Sequence, residues 1–134
     1  MPLVRIDLWN GVAPERRQQI ADVVHDALVV TFGIPERDRF QIMTEHAREE
    51  IIAEDAGLGF ERSAGVVIIQ IFTQRGRTST VKQRLYRQIA AGLAAIDIAG
   101  EDVFIGYQEN GPEDWSFGFG QAQYLTGELE PLGA

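Results

Sequence analysis

Three places in this chain carry atoms that could do chemistry. Pro2 follows the initiating methionine, which is normally removed when the next residue is small. Removal exposes a secondary amine at the start of a strand, a base when neutral and an acid or hydrogen-bond donor when protonated. Prolines are also common near chain starts for no catalytic reason. Asp38, in Glu36-Arg37-Asp38-Arg39, stands just before a second strand, where parallel pairing brings it within reach of the first. A turn aspartate in a charged loop has the same local sequence. Arg75 and Arg77, in Gln74-Arg-Gly-Arg-Thr78, lie between the end of a strand and the start of a helix. Unpaired backbone N–H groups and the helix dipole favour anions there. Two guanidinium forks separated by a flexible glycine can converge on one carboxylate. A solvated loop has the same spacing.

Other chemistries find little footing. His25 and His46 stand apart with no third-ligand pattern, so no metal site is expected. The absence of cysteine excludes disulfides, thiolate metal sites and thiol nucleophiles. The glycines around Phe117 and Phe119 do not sit between strand and helix, which argues against a phosphate loop. There is no Gly-x-Ser-x-Gly elbow. A net charge of −8 argues against nucleic acid as a partner, since a duplex-binding surface needs a basic stripe. No apolar run approaches the roughly 20 residues of a membrane span. Arg5 and Asp7 interrupt the start before a signal-peptide core could form, so a cytoplasmic protein is expected.

The elements that must position these residues repeat. At 134 residues the chain suits one domain with a real core. Leu3 to Trp9 alternates Val4, Ile6 and Leu8 with Arg5, Asp7 and Trp9, the period of a strand with one buried face. Asn10-Gly11 turns, Pro14 suits the first turn of a helix, and Ile20, Val23, Val24, Ala27, Leu28 and Phe32 form its apolar stripe. Gly33 is placed to end it in the left-handed conformation. A second strand follows at about Arg39 to Glu45, with Phe40, Ile42 and Thr44 on one face. The second half replays the order. Val66 to Phe72 reads as a central strand, and Thr80 with Gln83 as a capping box. Leu85, Ile89, Leu93 and Ile96 form a buried stripe, and Val103 to Tyr107 a fourth strand. A shift of 64 aligns Ile34 with Ile98, Asp38 with Asp102 and Phe40 with Phe104. The spacing therefore predicts an α/β (α+β) fold of duplicated β-α-β units, residues 2–46 and 66–110, with a C-terminal arm at 111–134. Each unit's strands should pair in parallel through a right-handed crossover. Four strands with two helices on one face leave the other face bare and too apolar for water, which predicts an oligomer. The aromatic arm should pack across this subunit or a neighbour.

Pro2, Asp38, Arg75, Arg77 and the Asp114-Trp-Ser-Phe-Gly segment together resemble the tautomerase superfamily, in its malonate semialdehyde decarboxylase branch. The likeness spans nearly the whole chain: PLVRIDLWNG, FGIPERDRFQ, EDAGLGFERS, the RGR loop, DWSFGFG and YLTGELE. The resemblance implies that Pro2 is the catalytic group, that Asp38 assists it, and that Arg75 and Arg77 bind a substrate carboxylate. It places Trp115, Phe117, Tyr124 and Leu129 on an apolar wall. It also implies a homotrimer, a small carboxylated substrate and no cofactor. The implied reaction is decarboxylation of malonate semialdehyde, or a similar small 3-oxo acid, to an aldehyde and CO2. Hydration of unsaturated or halogenated acids, tautomerisation of 2-oxo acids, and a non-catalytic oligomeric binding protein are the alternatives. The loop departs from the branch: it reads Arg-Gly-Arg where Arg-Pro-Arg is expected, with one extra residue nearby, and a floppier loop would loosen carboxylate placement.

Overall fold

The alternation at the start of the chain builds β1 (Leu3–Trp9), with Val4, Ile6 and Leu8 buried. In the computed structural model, which describes residues 2–131, β1 leads to α1 (Pro14–Phe32) and β2 (Phe40–His46). The second unit supplies β3 (Val67–Gln74), α2 (Ser79–Ala94) and β4 (Val103–Asn110). Pro14 occupies the first turn of α1, and Gly33 ends that helix at φ 68°, its N–H donating to the Val29 carbonyl at 2.9 Å.

Several boundaries differ from the sequence expectation, each for a local reason. The cap of α2 is Thr78 rather than Thr80. Thr78 is extended, and its hydroxyl accepts from the Val81 N–H at 3.3 Å, so Thr80 already lies in the first turn. β3 runs on to Gln74 and β4 to Asn110 because the two stay paired in register to those ends. Ile96 lies beyond the end of α2, where the chain turns through Asp97 at φ 67°, and is only partly buried.

The sheet order is β2-β1-β3-β4. β1 pairs with β2 in parallel and β3 with β4 in parallel, while β1 and β3 meet antiparallel at the centre. The two units thus stand back to back, and the start of β1 lies beside the end of β3. Val4, Ile6, Leu8, Val67, Ile69 and Ile71 form one core with Ile20, Val24, Leu28, Leu85, Ile89 and Leu93 of the helices. The helices approach closely at Gly92, where an added Cβ would fall 2.6 Å from Val23 Cγ1. On the opposite sheet face Phe40, Ile42 and Phe104 are exposed, the bare apolar face expected. Among the described residues no helix is long and apolar enough to cross a membrane.

The connection between the units is tied down. Asp102 is buried at the entrance to β4 and accepts from the Ser63 N–H and hydroxyl, both at 2.6 Å. The arm folds back on its own subunit, its short helix α3 (Gln123–Thr126) following a chain that lays Phe117 against Phe40 at 5.8 Å.

Candidate active site

Pro2 is buried at the entrance to the central strand. Leu3 is registered with Phe40 on one side and Phe72 on the other. Continuing that register by one residue brings Pro2 alongside Arg39 and Thr73. The topology therefore delivers Asp38 and the Thr73-Gln74 end of β3 to the same corner as Pro2.

A cavity of about 310 Å³ opens at this corner, lined by Asp38, Gln74, Arg77, Tyr124, Leu129 and the Phe32–Pro35 segment, among others. Asp38 is carried into it by a tight turn closed by its own N–H on the Pro35 carbonyl at 3.0 Å. Its side chain is buried, and burial pushes the carboxyl above its ordinary value, with His25 and Arg77 pulling the other way. Tyr124 reaches the cavity from the arm. Burial foremost, then the Asp38 charge, pushes its phenol up to about 12, against a hydrogen bond with Gln74. Tyr124 is a proton donor, not an acceptor of protons, at any physiological pH.

The two arginines do not converge here. Arg77 is half-buried and lines the cavity; its Nη1 donates to Thr73 Oγ1 at 3.2 Å, and its guanidinium lies 3.9 Å from the centroid of Phe32. Arg75 is exposed and is not among the lining residues; its N–H donates to the Asn110 carbonyl at 2.8 Å. The loop between them is anchored rather than floppy. Glu109 accepts from Lys82 Nζ at 2.7 Å and from the Gly76 N–H, and the Lys82 bond is what most lowers its pKa. Gly76 sits at φ 133°, a conformation other residues rarely adopt.

The four aromatic and aliphatic wall residues divide between two cavities. Tyr124 and Leu129 line the Asp38 cavity. Trp115 and Phe117 line a neighbouring one of about 460 Å³, with Leu3, Phe40 and Phe72. A run of rings joins them: Trp115 stacks on Phe117 at 5.7 Å, and Phe117 meets Tyr124 edge-on at 5.4 Å. Trp115 Nε1 donates to Asn110 Oδ1 at 2.7 Å. The buried Gln123 holds the ring-bearing turn, accepting from the Phe117 N–H and donating to the Gly118 carbonyl, both at 2.9 Å.

Sequence reasoning did not single out Thr73, Gln74 or the Tyr124 hydroxyl. Two polar residues ending an apolar β-branched run were the available signal: Thr73 and Gln74 are both buried, where a strand end ordinarily meets water. Among the described residues no cluster of three His, Asp or Glu side chains could hold a metal ion.

Comparison with known proteins bears on the family and the fold. A model of tautomerase enzymes matches residues 38–118, and a second one, also of tautomerase enzymes, residues 2–61. The chain is 41% identical over 130 residues to the probable tautomerase YrdN of Bacillus subtilis (strain 168), covering 96% of this chain and 100% of that protein. Among solved structures it is similar to FG41 malonate semialdehyde decarboxylase inhibited by 3-bromopropiolate, with 61% identity, a TM-score of 0.93, and 96% and 98% of the two chains covered. A malonate semialdehyde decarboxylase described for its decarboxylase and hydratase activities is 35% identical, with a TM-score of 0.91 and coverage of 95% and 98%.

Proposed function

The chain belongs to the tautomerase family of enzymes, and from that premise we propose that it decarboxylates malonate semialdehyde or a similar small 3-oxo acid, without a cofactor, on the amine of Pro2. The observation that carries this reading is a buried carboxylate, Asp38, delivered to the corner where the chain begins. The likeness to the two decarboxylases supports the choice of substrate.

Loss of CO2 from a 3-oxo acid breaks the C–C bond and leaves its electron pair as an enolate, so the developing oxyanion needs a donor. Protonated Pro2, freed by removal of Met1, donates a hydrogen bond to the aldehyde oxygen and afterwards a proton to the enolate carbon. It is recharged from solvent. One such donor is typically worth a factor of about 10² to 10³. Asp38 keeps the amine charged, because a nearby anion raises an amine's pKa, each unit being about 1.4 kcal/mol. Arg77, Gln74 and Tyr124 face the cavity and would receive the carboxylate, setting the breaking bond perpendicular to the carbonyl plane. Leu129 and the rings of Trp115 and Phe117 would exclude water, favouring neutral CO2 over the carboxylate. Arg75, exposed, has no part in this arrangement.

A specific observation also favours a second reading. Burial raises the Asp38 carboxyl, and a protonated Asp38 would leave Pro2 neutral, a base suited to tautomerising 2-oxo acids. One experiment separates the two. Protein shown by mass spectrometry to be trimmed or Met1-blocked is assayed on malonate semialdehyde and on a 2-oxo acid. Trimmed protein should release CO2 from the first much faster than it tautomerises the second, and blocked protein should be nearly inactive on both. Blocked protein working at the trimmed rate would end the proline mechanism.

The working form is proposed to be a homotrimer, because the exposed Phe40, Ile42 and Phe104 on the bare sheet face need cover that three sheets can supply. A stable monomer by light scattering would refute it.

A further inference from the structure

His25 lies on the buried side of α1 and is 5% exposed. Its Nε2 stands 2.8 Å from the Glu36 carbonyl oxygen. A carbonyl only accepts, so Nε2 must carry the proton and donate. Glu36 sits inside the turn that the Asp38 N–H closes on Pro35. The same stretch of α1 makes two other ties to this region. Asp22 Oδ1 accepts from Arg39 Nη2 at 2.7 Å, and the Ala21 carbonyl accepts from Gln41 Nε2 at 2.8 Å. Both grip the chain after Asp38. His25 grips it before.

An apolar side chain would fill this helix position with no polar atom to satisfy, whereas a buried imidazole is tolerable only when bonded. The bond it makes is to the turn that carries the candidate catalytic carboxylate. We propose that His25 is a positioning residue, which by pinning the Glu36 carbonyl holds Asp38 at its working distance from Pro2. The inference rests on the Pro2–Asp38 reading above. His25 is not among the residues lining the Asp38 cavity; it opens on the other side of the turn, beside Asp26, Glu36, Arg37 and Arg39. The charged groups facing it are Asp22 and Asp26 from its own helix, and Glu36, Arg37, Asp38 and Arg39 from the turn and β2 side. It acts through Asp38, not on substrate.

His25→Leu removes the donor at similar volume, and His25→Gln supplies an amide able to donate to the same carbonyl. A displacement of about 1 Å at a catalytic group can cost about a hundredfold, so His25→Leu should lower kcat by about ten- to a hundredfold while KM stays within about threefold. The alkaline limb of its pH–rate profile should move to lower pH, since a displaced Asp38 no longer holds Pro2 charged, and ¹⁵N titration of Pro2 should show the same move without turnover. His25→Gln should restore most of both. In an Asp38→Asn background, His25→Leu should add nothing. Wild-type kcat with an unmoved Pro2 titration in His25→Leu would overturn the proposal, as would equal losses in the two backgrounds. If His25→Leu does not fold, His25→Asn, whose amide is too short to reach Glu36, is set against His25→Gln under the same criteria. Failure of the underlying reading looks different: Asp38→Asn by itself would then leave the rate and the Pro2 titration unchanged.

Discussion

Replacing Tyr124 by phenylalanine removes one oxygen from the candidate site and little else. The ring that meets Phe117 edge-on at 5.4 Å stays, as does the burial that anchors the arm. What is lost is a hydroxyl facing the cavity beside Asp38 and hydrogen-bonded with Gln74. Because its phenol is pushed up to about 12, this hydroxyl is a donor throughout the working range of the enzyme. Without it, one oxygen of the bound carboxylate is left short of a donor in a poorly solvated site. That omission costs about 1 to 3 kcal/mol, a fall in kcat/KM of about five- to 150-fold. The assay is CO2 release or aldehyde formation from malonate semialdehyde by trimmed protein, with thermal unfolding of the same sample alongside. The melting temperature should fall by only a few degrees, and no new limb should enter the pH profile. Arg75→Ala is the internal control and should stay within about twofold of wild type, because its side chain is exposed and off the cavity. Unchanged kcat and KM in Tyr124→Phe would refute the reasoning, and a large loss in Arg75→Ala would return the carboxylate to the Arg-Gly-Arg loop.

The other expectations concern charge and packing. Decarboxylation needs Asp38 ionised and Pro2 protonated, so the rate should be bell-shaped in pH. With the Asp38 carboxyl raised by burial, its acid limb should lie above the ordinary carboxylate range. Asp38→Asn should erase that limb and bring the alkaline limb to lower pH, and a profile that keeps both limbs would assign them to other groups. Gly92→Ala tests the helix contact. Its Cβ would fall 2.6 Å from Val23 Cγ1, on a β-branched side chain with one strongly preferred helical rotamer. Overpacking of about 1 to 3 kcal/mol then outweighs the roughly 1 kcal/mol that alanine gains over glycine in a helix. Urea unfolding should show a net loss, and a stabilised variant would mean that α1 and α2 do not meet as described.

The fold was legible because its signals are local and were stated twice. Alternation marked β1, Pro14 and Gly33 bracketed α1, and a run of β-branched residues marked β3. The sequence periodicity also implied the bare face where Ile42 and Phe104 stand exposed. What escaped depends on pairing partners far away in the chain. The extension of β3 through Thr73 and Gln74 follows from their register with Glu109 and Asn110, which no short window reveals. The two arginines, adjacent in the sequence pattern, stand apart in the structure, with Arg77 on the Asp38 cavity and Arg75 off it. The arm brings Tyr124 to Gln74, while Glu109, well beyond the loop in sequence, holds Gly76 and leaves Arg75 outside. His25 looked like any core histidine, since nothing in its neighbours announces a bond to Glu36, 11 residues away.

The duplication sets the proposed catalytic corner beside a counterpart that serves the fold. A shift of 64 maps Pro35 and Asp38 onto Ala99 and Asp102, and the two turns match: the Asp38 N–H donates to the Pro35 carbonyl, and the Asp102 N–H to the Ala99 carbonyl, each at 3.0 Å. In the second unit the aspartate is saturated by chain that precedes β3, taking the Ser63 N–H and hydroxyl. In the first unit the position of Val66 is taken by Pro2. The aspartate that clamps Ser63 in one unit has as its counterpart Asp38, in the turn that enters β2 beside the start of β1. The same turn geometry thus ties down the connection between the units once, and carries the proposed catalytic carboxylate once. Residues grafted ahead of Pro2 turn its amine into an amide, so the product should fold and assemble yet release no CO2 from malonate semialdehyde, and turnover at the trimmed rate would refute the role given to this corner.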